Sequence, residues 1–111
     1  MERSAEYLVV FTTFASRSEA EKLASAVVSK RLASCAQVSG PISSTYWWNG
    51  KVERAEEWMC ALKTTRKAYP KLEAAIHSLH SYEGPQIIAV PIVAGSNKYL
   101  AWIGKEVAKR E

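Results

Sequence analysis

Ser44-Thr45-Tyr46-Trp47-Trp48-Asn49-Gly50-Lys51-Val52 decides the fold, because Asn49-Gly50 stands between two runs of strand-forming residues, Ser44 to Trp48 and Val52 to Leu62. Asn-Gly supplies the two positive-φ positions of a type I′ turn, whose twist matches that of the strands it joins. One long antiparallel hairpin from about Cys35 to Thr64 is therefore predicted. Each arm is well above the usual five or six residues, and a two-stranded ribbon of that length cannot be covered by one 12.3 kDa chain. Its outer end calls for a partner.

The flanking sequence supplies the rest of the topology. Tyr7-Leu8-Val9-Val10-Phe11-Thr12-Thr13 is short and continuously apolar, the pattern of a central strand covered on both faces. Ser16-Arg17-Ser18-Glu19 is a capping box, with Ser16 as N-cap and Glu19 reaching back. Ala20, Leu23, Ala24, Val27, Val28 and Leu32 then recur at helical spacing. Gly40-Pro41 interrupts the first hairpin arm; proline cannot donate to a ladder, so an edge strand with a bulge or bend is expected there. A second helix is predicted from about Thr65 to Leu79, with Leu72, Ala75, Ile76 and Leu79 on one side and Pro70 near its first turn. Beyond Gly84-Pro85, Ile87 to Val93 reads as a further strand, which Pro91 assigns to a sheet edge. Ser96 caps a final helix whose Tyr99, Leu100, Ile103 and Val107 share a face.

The order is βαββαβ plus a terminal helix. That is the ferredoxin-like α+β arrangement, a four-stranded antiparallel sheet with two helices on one face, and one such domain accounts for residues 1–111. The other face is expected to carry Tyr46, Trp47, Trp48, Trp58 and Met59, an uncovered apolar surface of the kind that marks an interface. Free backbone groups on the outer strands offer a second means of self-association.

Composition excludes several classes. Fifteen basic against eleven acidic residues give a net charge of +4, but Lys22, Lys30, Lys51, Lys71, Lys98 and Lys109 are scattered, so no nucleic-acid footprint is expected. No apolar run reaches the roughly 18 residues of a membrane span, and Met1 to Glu6 lacks a leader's hydrophobic stretch; a cytoplasmic location is expected. Counting from the turn, Cys60 faces Ser39, which leaves Cys35 about 13 Å away at strand rise, too far for a disulfide. Both cysteines are read as reduced thiols. No Gly-rich phosphate loop, Gly-x-Ser-x-Gly elbow, His-Glu-x-x-His or Cys-x-x-Cys is present, so no enzymatic activity and no organic cofactor are predicted.

Val9-Val10-Phe11-Thr12-Thr13, Arg31-Leu32-Ala33-Ser34-Cys35-Ala36, Tyr46-Trp47-Trp48-Asn49-Gly50-Lys51-Val52, Leu62-Lys63-Thr64-Thr65, His80-Ser81-Tyr82-Glu83-Gly84-Pro85-Gln86-Ile87 and Tyr99-Leu100-Ala101-Trp102-Ile103 occur in register. In order and spacing this series resembles the CutA family from about Tyr7 to Ile103. The resemblance implies a ferredoxin-like protomer in a tight homotrimer, divalent cation tolerance as the function, and copper or another divalent cation as the bound partner. It also implies copper ligands just after the first strand and just before Tyr82; here those positions hold Thr12, Leu79 and His80. His-Ser-Tyr stands in place of the family's His-Pro-Tyr, and Gln86 in place of Glu.

His80 lies three residues after His77, so on a helix the two could meet at one metal; a histidine stabilising a helix end is the simpler reading. Glu57 and Lys63, six residues apart on one strand, share a face and could form an ion pair. Glu57, Lys63, Tyr82, Gln86 and Trp102 are the candidate cleft residues of such a trimer. An alternative function uses the same clefts for a small anionic ligand, in the manner of the trimeric PII signalling proteins, with Lys63 as its charge partner.

Overall fold

The computed structural model describes residues 6–108, and Asn49 (φ 49°) and Gly50 (φ 77°) both take the left-handed backbone that the turn requires. They join β2 (Cys35–Trp48) to β3 (Lys51–Thr65), arms of 14 and 15 residues. Before them come β1 (Tyr7–Phe14) and α1 (Arg17–Ser29); after them come α2 (Tyr69–Leu79), β4 (Ile88–Pro91) and α3 (Asn97–Ala108). The four strands form one antiparallel sheet in the order β2-β3-β1-β4. This is the expected ferredoxin-like α+β topology with β1 internal. Met1 to Ala5, read above for a leader, and Lys109 lie outside the described residues.

The hairpin register runs regularly from Trp48↔Lys51 to Ile42↔Glu57 and then slips at Gly40-Pro41, as expected. Beyond the slip Cys60 faces Val38 rather than Ser39. Both thiols are free, and burial pushes Cys60 up to about 11. Glycine at position 40 is enforced by packing: a Cβ there would stand 2.7 Å from the Trp58 ring.

One face of the sheet is closed by α1 and α2. Val10, Phe14, Cys60 and Leu62 pack there against Leu23, Val27, Leu72 and Ile76. Trp58, opposite Phe14, joins this covered face with Arg17 above its ring, which corrects its expected place on the open face. The open face keeps Val9, Phe11 and Met59 half-buried and Ile88 and Val90 exposed, so β1 is fully covered on one side only. At its far corner α3 packs Ile103 and Val107 against Tyr7, Ala68 and Ile92.

The helix ends follow local chemistry. Ser16 Oγ caps α1 by accepting from the Glu19 N–H. At the other end Arg31 (φ 58°) occupies the left-handed position usually given to glycine, with Arg31 N–H donating to Val28 and Leu32 N–H to Val27. The Arg31 guanidinium donates to Glu106 Oε1 (2.8 Å) and to the Glu106 carbonyl (3.1 Å), tying α3 to the end of α1. The second helix begins at Tyr69 rather than Thr65, because Thr65 Oγ1 accepts from Ala68 N–H in a turn that precedes Pro70. Leu79 and Val28, expected on apolar faces, are exposed.

Candidate functional site

The hairpin is longer than β1. Pairing with β1 ends at Phe14↔Trp58, so everything from Glu57 outward stands clear of the central strand. The segment after α2 crosses beside this overhang on its way to β4. Between the two lies a cavity of about 780 Å³, bounded by Ser44, Tyr46, Trp48, Glu53 and Glu57 of the hairpin and by Tyr82, Glu83 and Gln86 of the crossing segment.

Glu57 sits at its inner end, only 9% exposed, and Oε2 accepts from the Tyr82 hydroxyl at 2.8 Å. Burial and then the bond to Glu57 raise the Tyr82 pKa, so the phenol remains a donor at neutral pH. Glu57 has no cationic partner among the described residues.

His80 anchors the crossing segment from behind the cavity. Its ring stacks on Phe14 at a centroid distance of 4.1 Å, Nδ1 accepts from Tyr82 N–H, and Nε2 lies 2.8 Å from the Thr13 carbonyl. An amide can only donate and a carbonyl can only accept, so the ring is the neutral tautomer with its proton on Nε2. Burial lowers its pKa, while the Thr13 carbonyl and nearby Glu19 and Glu57 oppose the shift.

These bonds correct the expected metal pair. Neither nitrogen of His80 has a free lone pair in this fold, and His77 faces Glu73 instead, Nε2 to Oε2 3.5 Å on an exposed helix face. Thr12, the other position implied for copper, is fully buried on the helix-covered face opposite Cys60, and its hydroxyl has no partner among the described residues. Among those residues no group of three or more His, Cys, Asp or Glu side chains could hold a metal ion.

Of the expected cleft residues the fold brings together Glu57, Tyr82 and Gln86. It leaves Lys63 and Trp102 elsewhere. Lys63 Nζ donates to Gln37 Oε1 at 2.8 Å, and six residues of strand, roughly 20 Å, separate it from Glu57, so the expected ion pair does not form. Trp102 lies on α3 beside Tyr99, with ring centroids 5.6 Å apart. Sequence reasoning missed Ser44, Glu53 and Glu83. Period-two alternation from the Asn49-Gly50 turn already places Glu53 and Glu57 on one face with Tyr46 and Trp48; nothing local announces that Glu83 folds over them.

The family model of the CutA1 divalent ion tolerance protein matches residues 8–106. The divalent-cation tolerance protein CutA of Thermus thermophilus is 39% identical over 86% of this chain and 92% of its own length. That of Archaeoglobus fulgidus is 36% identical over 88% of this chain and 95% of its own. The crystal structure of CutA1 from a psychrotrophic Shewanella superposes with a TM-score of 0.91 at 33% identity, covering 94% of this chain and 97% of that one. These matches give no support to the PII-like alternative, and a cavity bearing three carboxylates would repel its anionic ligand. Sequence, topology and relatives agree that this chain belongs to the CutA1 divalent ion tolerance family.

Proposed function

We propose that this protein acts in divalent cation tolerance as a non-catalytic homotrimer, with copper as the first ion to test. The observation that carries the reading is the family match across residues 8–106. Assembly is supported by the overhanging hairpin, which leaves Trp47 74% and Trp48 57% exposed, and by the open sheet face. The two free thiols fit a reducing compartment such as the cytoplasm.

With His80 committed to backbone bonds, the available imidazole is His77 beside Glu73. One nitrogen and one carboxylate suit Cu(II) or Zn(II), and two ligands give modest affinity; any further ligand would come from a neighbouring copy. Calorimetric titration with Cu(II) at pH 7 should show weak binding that is lost in acid, since only a deprotonated imidazole can coordinate. His77→Ala should remove most of it and His80→Gln little. Unchanged uptake by His77→Ala would place the ion on other residues. In cells lacking their own CutA protein, expression of this chain should raise the copper concentration that permits growth; no change would remove the tolerance reading.

A further inference from the structure

We propose that His80 is a pH-sensitive latch: protonation at Nδ1 releases residues 81–86 from the sheet while the rest of the fold stands. One hydrogen-bonded thread crosses three elements here. His80 Nε2–H donates to the Thr13 carbonyl of β1 (2.8 Å), Nδ1 accepts from Tyr82 N–H (3.2 Å), and the Tyr82 hydroxyl donates to Glu57 Oε2 of β3 (2.8 Å). Among the described residues, no other hydrogen bond holds the stretch from 81 to 86. Its two ends are fixed, at His80 by the stack on Phe14 and at Ile87 by packing against the core. Tyr82 alone pins what lies between.

The proton acts on one of these bonds. An imidazolium has donors on both nitrogens, so Nε2 keeps the Thr13 carbonyl, whereas Nδ1–H would meet Tyr82 N–H donor to donor. The break therefore falls at Tyr82. Glu19 of α1 and Glu57 of β3 face the ring and favour its cation, His77 of α2 opposes it, and burial outweighs them, holding His80 below the usual imidazole value. Opening lifts the Tyr82 ring from His80, centroids 4.8 Å apart, and lets water reach Nδ1. Proton uptake is thus easier in the open form. Opening is at its minimum above about pH 6.5 and increases below it, by up to about tenfold at pH 5.5, until the latched ring itself takes the proton. Tyr82, Glu83 and Gln86 bound one side of the cavity, so acid removes that wall.

The latch goes beyond the tolerance reading and does not depend on it, since every bond in it lies within one chain. Amide hydrogen exchange of the full-length protein would be followed by NMR at pH 7.5 and 5.5 with EDTA present, each rate divided by the intrinsic rate at that pH. Tyr82 N–H should be far less protected than Val10 N–H of the central strand, and its opening should rise several-fold at the lower pH. His80→Gln has no titrating group, so its Tyr82 opening should be equal at the two pH values. Tyr82→Phe loses only the hydroxyl bond to Glu57; opening should rise at both pH values with their ratio unchanged. Equal protection of Tyr82 and Val10 would show that the segment opens only with global unfolding and would overturn the proposal. So would an acid response that persists in His80→Gln, or one that disappears in Tyr82→Phe and so belongs to the Tyr82–Glu57 pair.

Discussion

His80 shows how one residue type supports two sequence readings that only its surroundings separate. Its position at the end of α2 was legible from sequence, as was the proximity of His77, but a ligand and a structural histidine have the same one-dimensional signature. Hydrogen bonding decides between them, because Nδ1 is occupied by Tyr82 N–H and Nε2 by the Thr13 carbonyl. The same bonds predict a pH dependence. Protonation would destroy the acceptor on Nδ1, and burial already lowers the folded-state pKa below the unfolded value of about 6.5. Above about 6.5 both states are neutral and the contribution is intact; as pH falls below it the unfolded chain takes up the proton first, so stability is lost. The thermal midpoint should therefore decline between pH 7 and about 5.5, before the exposed carboxylates titrate, and the decline should flatten in His80→Gln. An equal slope in both proteins would move the titrating group elsewhere.

At the scale of elements, the hairpin was the most legible part, because turn chemistry and register are local. Asn49-Gly50 fixed the turn and Gly40-Pro41 marked the slip. What pattern alone could not supply was the side to which each aromatic points once the bulge has shifted the register. Trp58 illustrates this: it lies under Arg17 and against Gly40 instead of on the open face. Gly40→Ala would push a methyl to within 2.7 Å of that ring, at a φ of 158° that L residues rarely adopt. Overpacking of this kind costs about 1 to 3 kcal/mol, so the denaturant midpoint should fall while the slope stays constant. The start of α2 was misplaced for the opposite reason. Residues 65–68 have helical composition, but a Thr65 side-chain bond and Pro70 hold them as a turn, and composition alone cannot register that competition.

At the scale of the whole molecule, what a single chain leaves unsatisfied argues for its assembly. The outer hairpin exposes Trp47, Trp48 and Val52, the open face exposes Ile88 and Val90, and β2 and β4 are both free edges. Free edges at opposite sides of one sheet suit a head-to-tail pairing, which gives a ring where the rotation between copies closes, in keeping with the homotrimer proposed above. Light scattering at micromolar concentration should accordingly give three times the 12.3 kDa of one chain. Trp48→Ala separates assembly from folding. The ring is exposed in the protomer, so circular dichroism should change little, whereas truncating an aromatic buried at an interface costs about 3 to 5 kcal/mol per site. The variant's trimer should then dissociate on dilution at concentrations where the parent remains intact. If instead it stays as trimeric and as heat-resistant as the parent, the hairpin tip is free in the assembly, and the contact must be carried by the open sheet face around Val9, Phe11, Ile88 and Val90.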